Sequence, residues 1–264
     1  MWNFAWRRRA GRGALVVATA AAVCCGPIAG PARAAAPTVC PATAAGAFLE
    51  NGAEDLLAEG PSKRPLRILA IGSSSTQGVG ASGPNAAYPA QLEARLQKGW
   101  GIAADVINAG VGGETSDATL RRLLAALAKD PPDLVVWQVG TNDAVVGLDP
   151  EAFRANLIAG IDAARARRVP IVLVDPQFYF GIKSPARFER YVSIIAEVGA
   201  AKRAPVFSRF AMMKAWAAKS ASTLTAALSP DGFHMDDQGY ACFARALADD
   251  LARDRENDRA AAKL

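Results

Sequence analysis

From Leu66 to Arg253 the chain alternates short apolar runs with longer stretches of helical period, a rhythm that few folds accept. Strand-like runs cover Leu66–Ile71, Ala104–Asn108, Leu134–Val139, Pro170–Val174 and Pro205–Phe207. Helix-like stretches cover Pro84–Gln97, Thr115–Lys129, Pro150–Arg168, Pro185–Ala200, Phe210–Lys219 and Asp236–Arg253. Within the helical stretches leucines share a face: Leu92 and Leu96 are one turn apart, and Leu120, Leu123, Leu124 and Leu127 repeat at helical spacing. Asp149 stands where a helix cap belongs, with Pro150 at the first helical position. Strict alternation of strand and helix predicts an α/β fold of three layers, with a central, mostly parallel five-stranded sheet between helices. Trp137, inside the third strand, is expected in the core.

In a parallel sheet the loops that follow the strands share one edge, and ligand sites form there. Three of these loops are rich in Gly and small polar residues: Gly72-Ser73-Ser74-Ser75-Thr76, Asn108 to Thr115, and Gln138 to Asp143. A fourth loop, Ser229-Pro230-Asp231-Gly232-Phe233-His234, precedes the last helix and holds the only histidine of the chain. A lone histidine is more often structural than catalytic. This one lies in a loop, three residues after an aspartate, and not on an apolar face. A neutral imidazole can take the proton of a serine hydroxyl, and a carboxylate on its other nitrogen fixes the tautomer and the orientation. A single histidine also argues against a His-based metal centre, which draws on several N or S ligands.

Other readings of the glycines fit less well. Gly72 to Gly78 carries no Lys after its second Gly, so it is not a phosphate-binding P-loop, and Gly110-Val111-Gly112-Gly113 lacks the full dinucleotide fingerprint. The elbow of α/β-hydrolases needs G-x-S-x-G, and this turn does not supply the last Gly.

The formal charge of +5 invites a nucleic-acid or membrane-surface reading, but Arg7, Arg8, Arg9, Arg12 and Arg33 account for all of it. The remaining body balances 25 basic residues against 25 acidic ones and lacks the excess of a nucleic-acid binder. Residues 1–34 have the three parts of a secretory signal: a basic start, the apolar run Ala14 to Val23, and the small-x-small site Ala32-Arg33-Ala34. That apolar run is about half of the ~20 residues that span a bilayer, so cleavage near Ala34 or Ala36 and a periplasmic or secreted product are expected, without stable membrane insertion. Residues 35–64 read as a linker or arm, mildly helical from Ala45 to Glu59; 65–255 form the domain and 256–264 a charged tail. The mature chain would keep Cys40 and Cys242, which in an oxidising compartment either pair or remain as two small hydrophobes.

Taken together, the four loops resemble, in order and approximate spacing, those of the SGNH/GDSL hydrolases over roughly residues 66–250. The family's Gly-Asp-Ser-x-Thr-x-Gly block is similar to Gly72 to Gly78, which implies Ser74 as nucleophile. The block Asn108 to Thr115 implies Gly113 as a backbone oxyanion donor, beside the Ser74 N–H, and Gly140 to Asp143 implies Asn142 as a side-chain donor. Asp231 to His234 matches the Asp-x-x-His block and implies a Ser74–His234–Asp231 triad. The resemblance further implies a flavodoxin-like sheet, an acyl-enzyme route, and no cofactor or metal. One departure stands out: Ser73 occupies the place of the family's Asp, and three serines then adjoin. Registration on both Gly72 and Gly78 selects Ser74.

The expected function is therefore hydrolysis of acetyl or short-chain acyl esters, on small esters or on an acylated envelope or extracellular saccharide. A non-catalytic glycan-binding module, an acyltransferase and a lysophospholipase or thioesterase are the competing readings. Phe178, Tyr179 and Phe180, after the fourth strand, either line an acyl pocket or serve packing.

Overall fold

The computed structural model describes residues 40–41, 48–50, 56 and 64–253. The expected signal segment 1–34 and the tail 256–264 lie outside the described residues, as does most of the arm. Among the described residues six strands form the sheet: β1 (Leu49–Glu50), β2 (Leu66–Gly72), β3 (Ala104–Gly110), β4 (Leu134–Gln138), β5 (Ile171–Val174) and β6 (Val206–Phe207). Their spatial order is β1-β6-β5-β4-β2-β3, with every pair parallel except the antiparallel β1 and β6.

The expected count of five is corrected by β1, which comes from the arm read as mildly helical. Leu49 and Glu50 pair with Phe207 and Val206, and the Ser208 N–H donates to the Phe48 carbonyl. An uncovered β6 would present a row of unpaired backbone groups. That demand comes from a partner far along the chain, and two residues carry no period that could announce it.

Alternate side chains of each inner strand go to opposite faces. Leu66, Ile68 and Ala70 of β2 enter one buried cluster with Tyr88, Leu92 and Leu96 of α2 (Tyr88–Trp100), and with Phe243 and Leu247 of the last helix. Leu69 and Ile71 enter the other, with Leu123 of the helix Ser116–Lys129 and Phe153 of the helix Pro150–Ala166. The expected three layers follow. Trp137 is fully buried, and it is received by Gly160, where a Cβ would lie 2.3 Å from the indole.

The loop blocks contain more helix than expected. Ser74–Gln77 forms a single turn, α1, and Thr141–Val146 a short helix, α4. The stretch from Pro84 breaks at Ala87 into a 3₁₀ turn and α2. The remaining helices are α3 (Ser116–Lys129), α5 (Pro150–Ala166), α6 (Pro185–Lys202), α7 (Arg209–Lys219), α8 (Ala221–Thr225) and α9 (Asp237–Leu251). A disulfide joins Cys40 to Cys242 of α9, with 5.3 Å between their Cα atoms, and so ties the arm to the body. Strand β2 has β3 on one side and β4 on the other, so the order reverses there and opens a crevice beyond its carboxyl end.

Candidate active site

The apolar run of β2 ends in that crevice because Gly72 permits a tight exit. A Cβ there would fall 2.4 Å from Thr76 Oγ1 and 2.8 Å from the Gln138 carbonyl. The end of β3 presses equally close, since a Cβ on Gly110 would lie 2.0 Å from the Gln77 nitrogen. The chain turns into α1 with Ser74 as its first residue and Gly78, at φ +99°, as its left-handed stop. The Ser74 N–H is thus in the first turn of a helix, where amides have no intrahelical acceptor.

Ser73 is buried and its role is local. Its N–H and its hydroxyl donate to Gln138 Oε1 at 3.1 and 3.3 Å, and Thr76 Oγ1 donates to the same oxygen at 3.2 Å. Gln138, at the end of β4, is itself buried. A neutral residue at 73 is therefore matched by a neutral acceptor. Gln138→Leu would strand the Ser73 N–H and is expected to cost about 1–3 kcal/mol, the usual penalty for an orphaned buried group. Ser73→Ala removes only a long hydroxyl contact and is expected to cost about 1 kcal/mol or less. Urea unfolding of both variants checks this: equal losses would refute the backbone role of Gln138.

Ser74 Oγ lies 2.8 Å from His234 Nε2, although the two residues are 160 positions apart. His234 Nδ1 lies 2.6 Å from Asp231 Oδ2. A carboxylate can only accept, so the ring proton sits on Nδ1 and Nε2 is free to accept the Ser74 hydroxyl. Asp231 Oδ1 accepts the Ser229 hydroxyl at 2.7 Å and the N–H groups of Phe233 and His234 at 2.8 and 2.9 Å. Partial burial pushes the Asp231 carboxyl up. The hydrogen bonds from His234, Phe233 and Ser229 outweigh it and hold the group well below the usual carboxylate range. Asp231 is therefore ionised at neutral pH.

The histidine loop is closed by the Ser229 N–H to the His234 carbonyl at 2.8 Å, with Gly232 in the left-handed region. It is also braced against the segment after α1. Gly80, at φ +92°, fits where a Cβ would stand 2.4 Å from the Met235 carbonyl and 3.1 Å from His234 Cβ. Tyr240 donates to the Val79 carbonyl at 2.7 Å, and the Ser82 hydroxyl to Asp237 at 2.6 Å.

The expected oxyanion donors come from the two neighbouring strand ends. Gly113 takes φ +80°, a conformation suited to Gly, and a Cβ there would meet nothing within 4 Å. Asn142 sits in the first turn of α4 and donates through Nδ2 to the Glu114 carbonyl at 2.7 Å, which leaves its second amide proton available. Asp143 is buried and accepts the Ser116 N–H of α3 at 2.9 Å, so it joins α4 to α3; burial pushes its carboxyl up. Gln177 Oε1 accepts Thr141 Oγ1 at 2.9 Å and the buried Arg209 Nη2 at 2.8 Å, and so pins α4 to the loop after β5.

Four residues escaped the sequence reading. Gln138 accepts the Ser73 N–H, the Glu114 carbonyl accepts the Asn142 amide, and Arg122 pairs with the Glu114 carboxylate while donating to the Gly72 and Ala109 carbonyls, contacts that no side-chain motif reports. Phe233 stands edge-on to His234, with ring centroids 4.7 Å apart, and to Tyr179 at 4.8 Å. Of the aromatic trio, Phe178 packs on Phe210, Tyr179 reaches Phe233, and Phe180 is exposed. Among the described residues no group of three His, Cys, Asp or Glu side chains is placed to hold a metal ion.

Known proteins resemble this chain to different extents. The model of the non-GDSL lipase-like family matches residues 39–255. The chain is 32% identical over 132 residues to the esterase TesA of Pseudomonas aeruginosa, over 50% of this chain and 62% of that protein's length. The crystal structure of AlinE4, an SGNH-hydrolase family esterase, superposes with a TM-score of 0.52 at 30% identity, covering 60% of this chain and 82% of that one. A crystal structure of TesA superposes with a TM-score of 0.58 at 24% identity, covering 69% and 97%.

Proposed function

This chain belongs to the SGNH hydrolases, in the non-GDSL lipase-like family, and from that premise we propose that it is an exported serine ester hydrolase. The observation that carries the reading is the continuous chain Ser74 Oγ–His234–Asp231, with contacts of 2.8 and 2.6 Å, at the carboxyl edge of the sheet. Ser74 Oγ attacks the ester carbonyl carbon while His234 Nε2 takes the hydroxyl proton. The tetrahedral oxyanion is held by the N–H groups of Ser74 and Gly113 and by the Asn142 amide. As the bond to the alkoxy oxygen breaks, His234 returns the proton to the leaving alcohol. Water then adds to the acyl-enzyme with His234 as base, which releases the acid and restores Ser74. Asp231 holds the imidazole and stabilises its charged form.

Export is supported by the basic, then apolar, then small-residue order of residues 1–34. The Cys40–Cys242 disulfide agrees, since such bonds persist in oxidising compartments. Within ester hydrolysis we assign acetyl or other short acyl groups, on small esters or on a saccharide outside the cytoplasm, in keeping with that placement.

The test is a series of p-nitrophenyl esters from acetate to palmitate on the full chain, with mass spectrometry after treatment by diethyl p-nitrophenyl phosphate. Turnover that falls with chain length, and a single adduct on Ser74, are expected. Preference for palmitate would move the substrate to lysophospholipids or long thioesters. Acyl transfer to an added sugar in excess of hydrolysis would make the protein a transferase. No turnover and no adduct, in a folded protein that binds glycan, would replace the enzyme by a binding module.

A further inference from the structure

Arg122 of α3 touches none of the four loop blocks by sequence, yet its guanidinium joins three of the chain segments that build the site. Nε donates to both oxygens of the Glu114 carboxylate at 3.0 Å, and Nη2 to Glu114 Oε2 at 2.5 Å. Nη1 donates to the Ala109 carbonyl at 2.8 Å, and Nη2 also to the Gly72 carbonyl at 3.2 Å. Gly72 is the residue from which β2 enters the nucleophile turn, Ala109 is the next-to-last residue of β3, and Glu114 closes the loop that carries Gly113. The clasp is only partly wet, with side-chain exposures of 31% for Arg122 and 17% for Glu114.

Glu114 passes this hold on to both expected oxyanion donors. Its own carbonyl accepts the Asn142 amide at 2.7 Å, and its peptide bond is shared with Gly113. A shift of the Glu114 backbone would move both the peptide it shares with Gly113 and, on its other side, the carbonyl that holds Asn142. Gly113, at φ +80° with open space where a Cβ would stand, offers no side-chain packing against such a shift, and on its other side Gln77 Oε1 accepts the Gly112 N–H at 2.9 Å. The guanidinium supplies the resistance, and the fork is what suits it: four acceptors in three directions need several donors in fixed relation, which an ammonium does not present.

We propose that Arg122 and Glu114 are positioning residues that set the oxyanion hole of this protein. The proposal rests on the ester-hydrolase reading above, and it assigns these two side chains no contact with substrate.

The experiment compares the full chain with Arg122→Lys, Glu114→Gln, Asn142→Ala and the double variant Arg122→Lys/Asn142→Ala. It measures kcat and KM on p-nitrophenyl acetate, thermal unfolding, and the organophosphate adduct on Ser74. Arg122→Lys and Glu114→Gln are each expected to lower kcat about 10²-fold, near the loss typical of one oxyanion donor, with KM little changed. Arg122→Lys added to Asn142→Ala is expected to cost little more, because the two act on one element, whereas independent structural damage would multiply. Wild-type kcat in Arg122→Lys, or multiplied losses in the double variant, overturns the proposal. So does loss of activity that follows loss of the folded fraction in both single variants. A wild-type chain with neither turnover nor a Ser74 adduct overturns the hydrolase reading itself, and the proposal with it.

Discussion

Ser74→Ala is expected to lower kcat/KM on p-nitrophenyl acetate by about 10⁶-fold, and His234→Ala by a similar factor. The structure explains why the two should match. His234 Nε2 has one hydroxyl to serve, and Ser74 Oγ has one base at 2.8 Å, so either without the other has no route to an alkoxide. The double variant should therefore be no slower than the single ones, a non-additivity that marks groups acting as a unit. Residual rates of about 10³–10⁴-fold over water are expected from the oxyanion donors alone. Asp231→Asn should cost less, on the order of 10⁴-fold, because an amide can present its N–H to Nδ1 and hold the wrong tautomer. Steady-state kinetics on purified variants decides. Activity that survives in Ser74→Ala would return the assignment to Ser73 or Ser75, against the registration of Gly72 and Gly78. The structure speaks against both: Ser73 is committed to Gln138, and Ser75 is buried.

The second large effect is on stability. The disulfide closes a loop with a sequence separation of 202 residues, and chain entropy sets its maximal contribution near about 5 kcal/mol. Native stabilities are about 5–15 kcal/mol, so this one bond is a large fraction of the total. Cys40→Ser is the cleaner variant, because Cys40 is only half-buried, whereas Cys242 lies inside the core and its replacement would add a buried hydroxyl. Melting of the wild type with and without a reductant, beside Cys40→Ser, should show losses on the order of 10 °C for both reduced and substituted protein. Coincident melting curves would show that the arm holds to the body without the bond.

How much of this was legible beforehand depends on the range of the interaction that carries each feature. The α/β alternation and the two-faced strands follow from periods of 3.6 and 2, which are local, and Trp137 fell into place with them. The site loops were legible because glycines must stand where backbone meets backbone, as at Gly72 and Gly110, and because one histidine left one possible base. Strand β1 was not legible, since two residues owe their conformation to the open edge of β6. Gln138 was hidden as well: a polar residue closing an apolar strand looks like the start of a loop until Ser73 is seen to lean on it. Arg122 was concealed for a related reason. It sits beside the apolar face of α3, where an arginine normally snorkels to water, and nothing in its neighbours shows that two backbone carbonyls and a carboxylate lie within its reach.

The contacts that brace the histidine loop against the turn after α1 do not include the Ser74–His234 bond. Gly80 against Met235, Tyr240 on Val79 and Ser82 on Asp237 would hold the two halves at the same separation if that bond were deleted. The entropy of bringing together residues 160 apart is therefore spent when the chain folds, and is not charged again at each turnover. On the hydrolase reading, the rate on a small ester is expected to vary little with solvent viscosity, because these contacts already hold Ser74 and His234 at bonding distance in the unliganded chain.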